Sequence, residues 1–325
     1  MSKVAETVNS APRETQDVSL AEFRRYLASV KMPATVRKYG QCVEHFIELV
    51  KVNNYSSFEQ LPEDFLTEFI LLMQHDGKGP SIIHLHICAV RKYLEWVKTR
   101  GVDIRIHTRP ELPKVQLRQR PCLSPDMFRD YFRQADIDLR EPVRTAVMLL
   151  PCSGLRVSEL VGLRLNSVHR AKVLLKNGKK KETLFLRVIG KGGRERNVPL
   201  MEEGEEILHG YLRGWRKDKP GTWLFPSITK KTEKSGAKAV QDSYIRTALR
   251  EMRKHVGDGM VFTPHTMRRT YITMLWRKGV KLEVIAKIAG HVNVQTTLNH
   301  YIVMDPMDSL QAVHNAGGSL LETTT

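Results

Sequence analysis

Two stretches within the first hundred residues carry an apolar side chain at every third or fourth position. This spacing places one apolar stripe along each of two α-helices, because a helix completes a turn about every 3.6 residues. Two further helices are expected around residues 20–30 and 63–74, so that together they form an all-helical bundle ending near Gly101. The two stripes consist of Val36, Tyr39, Val43, Phe46 and Val50, and of Ile83, Ile87, Val90, Leu94 and Val97.

The periodicity changes between residues 171 and 200. The segments AKVLL, TLFLRVIG and NVPL favour strands of a small antiparallel sheet, with the turn NG at 177–178 and the glycine-rich stretch GKGGRER between them. Helices flank this sheet: Ser124-Pro125-Asp126 is a helix start signal, and a second helix over about 139–152 stops before Gly154. Later helices are predicted at Ile245, Leu249, Met252 and Val256, from residue 264 onward, and around 282–289.

The pattern divides the chain into five parts. Residues 1–17 are polar and aperiodic, which predicts a disordered arm. The helical bundle covers 18–105, a basic linker with three prolines and four Arg or Lys side chains covers 106–121, a second domain covers 122–305, and a tail covers 306–325. The predicted fold class is therefore mainly α: an N-terminal helical bundle plus a C-terminal, mostly helical domain with a small antiparallel β-sheet.

The chain is strongly basic: of 325 residues, 52 are Lys or Arg and 35 are Asp or Glu, a formal net charge of +17. This balance favours a polyanionic partner, nucleic acid first, with a basic surface that has no partner as the alternative. No apolar stretch approaches membrane-spanning length and no secretory signal is present, so we expect no membrane partner and a cytoplasmic protein. The four cysteines are widely spaced and form no C-x-x-C pair, which predicts reduced thiols and no zinc or other metal site.

The segment TPHTMRR, residues 263–269, concentrates positive charge at the start of a predicted helix. Thr263 can cap this helix, Pro264 suits its first position, and His265 and Arg268 lie three residues apart on one face. Arginine near a helix N terminus opposes the helix dipole unless an anion binds there, and the expected anion is a phosphate. The alternative, that His265 and Arg268 are exposed polar residues, stays open at this point.

In SGLRVSEL, residues 153–160, Arg156 follows Gly154 and Glu159 lies one helical turn later. A guanidinium matches a phosphate bidentately and stays charged, so Arg156 and Arg268, from distant segments, can clamp one phosphodiester. Glu159 would then orient Arg156. A structural ion pair between Arg156 and Glu159 is the simpler alternative.

Two further segments carry side chains suited to proton transfer and nucleophilic attack. Lys191, in GKGGRERNVPL, can protonate a leaving oxygen from its turn, or it is a solvated hairpin tip. In AGHVNVQTTLNHYIVMD, residues 289–305, His291 follows a glycine at a helix end and precedes Tyr301. A phenol needs cationic neighbours or a base to attack phosphorus, so Tyr301 is either such a nucleophile or a half-buried aromatic residue. Tyr271 faces the predicted core and is therefore a weaker candidate nucleophile than Tyr301. For His300, three interpretations stay open: a base, a DNA contact or a surface residue.

Five features follow one another along the chain: an Arg with a following Glu, a lysine on a hairpin, His-x-x-Arg, Gly-His and a Tyr near the C terminus. In this order they resemble the tyrosine recombinase (phage-type integrase) family. The resemblance runs from about Val18 to Tyr301 and is specific in the C-terminal half. In the N-terminal half it rests on the helical pattern, where ATVRKYGQCVEHFIEL looks like the family's core-binding domain. The resemblance implies that residues 18–105 are a DNA-binding core-binding bundle and that 122–305 are the catalytic domain.

The resemblance also implies a role for each candidate residue. Tyr301 would attack a DNA phosphodiester and form a 3′-phosphotyrosyl bond, without metal, ATP or another cofactor. The other implied roles are phosphate binding by Arg156 and Arg268, phosphate contact and proton transfer by His265 and His291, protonation of the leaving 5′ oxygen by Lys191, and orientation of these groups by Glu159.

The implied partner is double-stranded DNA with specific recombination sites, held in a C-shaped clamp whose linker crosses the DNA backbone. A homo-tetramer would form on two paired sites, with residues 306–325 docking on a neighbouring protomer or, alternatively, forming a frayed terminus. An accessory DNA-bending protein is an optional further partner, and the enzyme would lie in the cytoplasm at the nucleoid. Integration, excision, transposition and resolution, for a mobile element or a chromosome dimer, all stay open.

Two other functions remain as alternatives. One is a catalytically inactive, architectural DNA-binding protein, against which the complete set of candidate side chains argues. The other is a type IB topoisomerase, which the small N-terminal bundle and short tail fit less well.

Overall fold

The computed structural model describes residues 19–115, 122–174, 178–190, 193–227, 229, 236–254, 262–291, 293–295 and 297. The chain divides into two compact units, Met1–Gln116 and Leu117–Thr325, with a boundary inside the predicted linker. The predicted arm at 1–17, linker residues 116–121 and the predicted tail at 306–325 lie outside the described residues. Throughout the described ranges, no helix has both the length and the apolar character needed to span a membrane.

The first unit is built from amphipathic helices, and both predicted apolar stripes face its interior. All five stripe residues between 83 and 97 are buried; in the other stripe Val43, Phe46 and Val50 are buried, and Val36 and Tyr39 pack against the same core. The helical prediction is therefore confirmed. The helices are α1 (Leu20–Val30), α2 (Pro33–Val52), α3 (Phe65–His75) and α4 (Pro80–Lys98), with a 3-10 turn at Phe58–Gln60.

The start of the predicted linker contributes to the packing of the first unit. Ile106 is 3% exposed and belongs to its core. Farther along, the backbone oxygen of Pro113 lies 2.9 Å from Nε2 of His84 on α4. The prolines and charged residues between 106 and 121 predict a linker. The buried side chain of Ile106 nevertheless packs the first residue of this segment against the helical bundle.

The second unit is mostly helical with one small sheet, which confirms the predicted fold class. The antiparallel sheet has the order β1-β2-β3, in which Val168 pairs with Leu186 and Phe185 pairs with Pro199. Its elements are α5 (Pro125–Asp138), α6 (Val143–Ser153), α7 (Val157–Val161), β1 (Val168–Leu174), β2 (Lys180–Ile189), β3 (Glu195–Pro199), α8 (Glu202–Arg213), α9 (Asp242–Arg253), α10 (Pro264–Arg277) and α11 (Leu282–Ala289).

Side-chain caps fix the starts of α5 and α10. The Oγ of Ser124 accepts a hydrogen bond from the amide of Met127 at 3.3 Å, and α10 begins after Thr263 in the same way. The predicted start of α6 at about residue 139 is wrong, because the helix begins at Val143. The Glu141 carboxylate caps it instead, accepting bonds from the residue-145 amide and hydroxyl at 3.3 and 2.9 Å.

Arg216, just after α8, shows how the second unit accommodates a buried cation. The residue is 2% exposed, and its guanidinium donates to the backbone oxygens of Trp223, Gly221 and Lys219 at 3.0, 2.6 and 2.5 Å. Backbone carbonyls are strong acceptors, so they replace the water that a buried guanidinium loses. Arg216 therefore holds the loop from residue 216 to 223 in a fixed shape.

Candidate active site

Arg268 lies in the second turn of α10, and its side chain enters the interior: the residue is 1% exposed. Its Nη1 donates to Gly154 O at 2.7 Å, and its Nη2 donates to Ala289 O. These carbonyls belong to the C-terminal ends of α6 and α11, where the helix dipoles favour a cation. The interpretation of Arg268 as an exposed polar residue is thus wrong, whereas His265, one turn earlier, is exposed.

Glycines end both helices that hold Arg268. Gly154 and Gly290 have φ values of 61° and 70°, a left-handed conformation that favours glycine. At Gly154 space is also limiting, because a Cβ atom there would overlap the ring of Tyr271. The chain therefore leaves each helix abruptly, shortly before Arg156 in one case and directly before His291 in the other.

His291 contacts Arg268 on one side and a buried hydroxyl on the other. Its Nε2 lies 3.1 Å from Arg268 Nη2, and its Nδ1 lies 2.7 Å from Thr297 Oγ1. A guanidinium has donors only, so Nε2 must accept this bond and carries no proton. We therefore assign His291 as the neutral tautomer that donates from Nδ1 to Thr297, with the lone pair of Nε2 directed toward Arg268.

Arg156 and Glu159 form the contact that the sequence predicted. Arg156 precedes α7, and its amide donates to Glu159 Oε2 at 2.9 Å while its Nη1 donates to Oε1 at 2.9 Å. The Glu159 side chain is 7% exposed and that of Arg156 is 38% exposed. The carboxylate is thus buried behind a guanidinium that solvent still reaches.

Arg196 on β3 binds the same carboxylate, and sequence analysis had given it no role. Its Nη1 and Nη2 donate to Oε1 and Oε2 of Glu159 at 3.0 and 2.7 Å, and its Nε donates to Ile288 O at 2.7 Å. Strand alternation was the available signal, because Arg196 precedes the buried Val198 by two residues and shares its face. The missing information was the position of Glu159, which only the folded chain supplies.

The charge of Glu159 depends on these arginines. Burial acts to raise its pKa, but the hydrogen bonds from Arg196 and from the Arg156 amide, together with both positive charges, lower the pKa below its ordinary value. Glu159 is therefore ionised at neutral pH between two guanidinium groups.

Tyr271 is fixed in the interior, as the sequence predicted. The residue is 2% exposed, and its hydroxyl donates to Pro199 O at 2.8 Å. Burial raises the pKa of its phenol, which disfavours the phenolate. Tyr271 is therefore poorly suited to act as a nucleophile.

The structure joins several candidates in one network. Arg268 binds the carbonyl of Gly154, two residues before Arg156, and Arg196 links Glu159 to Ile288, three residues before His291. Gly190, next to Lys191, also borders this network, since a Cβ atom there would lie 3.1 Å from Arg196 Nη1. The candidates brought together are Arg156, Glu159, Arg268 and His291, whereas Lys191, His300 and Tyr301 lie outside the described residues.

The cluster has the chemistry of an anion site. It combines two candidate phosphate-binding guanidiniums, one of which is partly exposed, with a neutral imidazole that can accept a proton. Across the described ranges, no group of three or more His, Cys, Asp or Glu side chains is placed to hold a metal ion.

Comparison with known proteins identifies the class of enzyme to which this fold and site belong. The sequence model of the phage integrase family matches residues 130–306, more than half of the chain. The chain therefore belongs to the phage integrase family, the tyrosine recombinases. It is a DNA strand-exchange enzyme of the tyrosine recombinase type.

Similar proteins cover most of the chain. The chain is 28% identical over 292 residues to a tyrosine recombinase XerD of Lacticaseibacillus casei. The alignment covers 86% of this chain and 91% of the relative. It is 25% identical over 292 residues to a tyrosine recombinase XerC of Salmonella typhi, spanning 86% and 89%.

Solved structures share the fold at lower identity. XerH site-specific recombinase, in a post-cleavage complex with its palindromic difH substrate, aligns with a TM-score of 0.66 at 16% identity over 90% of this chain and 83% of that one. The Tn1549 transposon integrase in complex with transposon right end DNA aligns with a TM-score of 0.64 at 18% identity, over 91% and 98%.

Proposed function

We propose that this chain is a site-specific recombinase that cleaves and rejoins DNA strands through a 3′-phosphotyrosyl intermediate. The phenolic oxygen of Tyr301 bonds to the scissile phosphorus while the bond from phosphorus to the 5′ oxygen breaks. The phenol proton passes to His265 or His291, and Lys191 gives a proton to the departing oxygen. A 5′-hydroxyl from a second duplex reverses the step and releases the Tyr301 phenol. Because the phosphotyrosyl bond retains the ester energy, the step needs no ATP, and the proposed roles of the side chains include no metal.

The connection between Arg268 and the segment of Arg156 carries this proposal. Arg268 binds the carbonyl of Gly154 at 2.7 Å, so two guanidiniums from distant segments are held in one network. Oriented guanidiniums stabilise the negative charge that develops on the non-bridging oxygens.

The tautomer of His291 supports its part in proton transfer. Its Nε2 accepts from Arg268 and is unprotonated, so this atom can take a proton once the Arg268 donor turns from it to the phosphate. Donation from Nε2 to a phosphate oxygen requires the other tautomer. The Thr297 hydroxyl is compatible with both, because it can accept from Nδ1 or donate to it.

The test of the nucleophile uses nicked suicide duplexes made from the DNA that neighbours the gene. Wild type should form a covalent 3′-linked adduct, and Tyr301→Phe should abolish it while DNA binding persists. Tyr244→Phe, a change at an exposed tyrosine on α9, is the matched control and should leave the adduct unchanged. An undiminished adduct with Tyr301→Phe would move the nucleophile elsewhere.

The role of Lys191 has its own test. Lys191→Ala should slow cleavage when the leaving group is a 5′-hydroxyl but spare a 5′-thiol, whose lower pKa needs less help from an acid. An equal loss on both substrates would remove Lys191 from the acid role.

The proposed partners are double-stranded DNA with specific recombination sites and three further copies of the chain. We propose that residues 18–105 are the DNA-binding core-binding domain, that residues 122–305 are the catalytic domain, and that residues 306–325 dock on a neighbouring protomer. The protein would act at the nucleoid. The mass of the complex on DNA with two sites tests the tetramer, and removal of residues 306–325 should reduce assembly.

Integration, transposition or resolution of a mobile element is the proposed setting. Sequencing the DNA covalently attached to the protein in cells would identify the sites, and the product topology on paired sites would separate these reactions. Strand exchange by the purified protein alone would make an accessory DNA-bending protein unnecessary. Relaxation of supercoils without exchange would favour a type IB topoisomerase, and binding without any adduct would favour an architectural protein.

A further inference from the structure

Arg196 is a cation whose donors are directed at the protein itself. All three of its nitrogen atoms donate, to the Ile288 carbonyl of α11 and to both oxygens of Glu159 on α7. Its side chain is 10% exposed. Arg196 is thus committed to two elements that carry candidate catalytic residues, and it does not present its charge to a ligand.

Two glycines make room for this guanidinium. A Cβ atom at Gly190 would lie 3.1 Å from Arg196 Nη1, and one at Gly290 would lie 3.1 Å from its Cζ. Both distances are tighter than ordinary van der Waals contact. The backbone before Lys191 and before His291 therefore packs against Arg196 and restricts it to one position.

Arg196 takes the bidentate position on Glu159 that Arg156 would otherwise occupy. A carboxylate and a guanidinium prefer a pair of parallel hydrogen bonds. Here Arg196 makes the two parallel hydrogen bonds to the Glu159 carboxylate, and the backbone amide of Arg156 also donates to Oε2. The Arg156 guanidinium therefore contacts Glu159 through Nη1 alone. Its Nε and Nη2 form no hydrogen bond within the described part of the chain, and the side chain is 38% exposed.

We propose that Arg196 is a positioning residue for the cleavage reaction: by occupying Glu159, it limits Arg156 to one anchoring bond and leaves its other donors for the scissile phosphate. This inference rests on the proposed function. Glu159 therefore needs Arg196 as its main partner. If Arg196 were removed, the Glu159 carboxylate would compete with the substrate phosphate for the guanidinium of Arg156.

The competition can be tested through a pair of variants measured by single-turnover cleavage of bound suicide duplex. Arg196→Met should slow cleavage about 100-fold, because a misplaced group costs that order of rate, with little change in DNA affinity. Adding Glu159→Gln should recover about tenfold of the loss, since the competing charge is removed. Arg196→Lys should lie between wild type and Arg196→Met, because it keeps the charge without the bidentate geometry.

A modified substrate separates positioning from a purely structural role. Replacement of one non-bridging oxygen at the mapped scissile phosphate by methyl gives a neutral methylphosphonate, which has less charge for Arg156 to stabilise. Arg196→Met should therefore lose less than about tenfold on it, against about 100-fold on the phosphodiester. Arg187→Met, at an exposed arginine on the neighbouring strand, is the matched control and should cleave both bound substrates as wild type does.

Each outcome decides a different point. An equal loss on both substrates, or a deeper loss when Glu159→Gln is added, would overturn the positioning role while the proposed function stands. Absence of any adduct with wild type on the phosphodiester would instead overturn the proposed function. If Arg196→Met does not fold, the same substrate comparison with Arg196→Lys decides the question.

Discussion

In the first unit, the most completely buried side chains are aromatic and aliphatic, and the Phe46 ring meets those of Phe65 and Phe69 nearly edge to face. In the second unit two arginines, Arg268 and Arg216, are buried, with exposures of 1% and 2%. All buried polar and charged residues within the described ranges lie in this second unit: Thr145, Ser153, Arg216, Thr266, Arg268, Thr270, Thr273 and Thr297.

The two interiors are therefore stabilised by different kinds of interaction. The dispersion and area burial that stabilise an apolar interior have no direction, so they do not orient any particular group. A buried guanidinium is stable only when its donors meet acceptors, so it fixes those acceptors in return. Arg268 fixes the ends of α6 and α11, and with them the segments that carry Arg156 and His291. The second unit therefore holds specific backbone segments in place through directed hydrogen bonds from a buried guanidinium.

The largest expected effect separates the two fully buried arginines. Arg268→Met and Arg216→Met should each lower the free energy of unfolding by about 3 kcal/mol, because carbonyls lose their donors. Only Arg268→Met should also slow cleavage of bound DNA, by about 1000-fold, since it removes phosphate stabilisation. Urea unfolding and single-turnover cleavage measure the two effects.

If Arg216→Met loses cleavage as severely as Arg268→Met at a temperature where both are folded, the comparison fails. Buried arginines would then act through the stability of the whole unit and not through local placement.

A pair of glycine variants tests crowding in the two units. Gly154→Ala combines a φ of 61° with overlap against Tyr271, and it should cost about 3 kcal/mol. Gly101→Ala in the first unit has a φ of 85° with open space around it, so only backbone strain of about 1 kcal/mol is expected. Thermal unfolding of the full chain measures both, and equal losses would show that crowding at Gly154 is unimportant.

A smaller effect is expected at Thr297, the buried hydroxyl that orients His291. Thr297→Val keeps the volume but removes the hydrogen bond, which is worth about 1 kcal/mol, so cleavage should slow about fivefold. Thr297→Ser retains the hydroxyl and should stay close to wild type. Equal cleavage rates for Val and Ser would mean that the bond to Nδ1 does not set the reactive tautomer.

The smallest effect concerns His86, a half-buried histidine on α4 of the first unit. Burial and the nearby His45, Lys38 and Lys78 lower its pKa. The unfolded chain therefore binds the proton more readily, and stability that is full above the ordinary histidine pKa decreases as the pH falls through that value. The loss should be on the order of 1 kcal/mol or less.

Urea unfolding at about pH 7.5 and about pH 5.5 tests this contribution of His86. His86→Leu should reduce the difference between the two conditions. The same pH dependence in wild type and variant would show that protonation of His86 does not affect the first unit.

Sequence predicted those parts of the fold that depend on local pattern. The apolar period placed α1 and α11 at their observed bounds, and the cap at Thr263 placed the start of α10. The start of α6 was missed because Glu141 caps it from outside the apolar pattern.

The site could be predicted only in part. Short motifs drew attention to Arg156, Arg268 and His291, because each combines a charged or titratable side chain with a helix end. The burial of Arg268 could not be read from them, since its acceptors lie 114 and 21 residues away along the chain. The contact of Arg196 with Glu159 spans 37 residues and depends on how β3 lies against α7.

Arg196 and Arg216 donate their hydrogen bonds within the protein, and this lowers the positive charge that is effective toward DNA. Both contribute to the formal +17, yet their guanidiniums face Glu159 and backbone carbonyls. The salt dependence of DNA affinity measures cations that displace condensed ions from backbone phosphates. Its slope should therefore leave out Arg196 and Arg216, so that the formal net charge overstates nonspecific attraction to DNA.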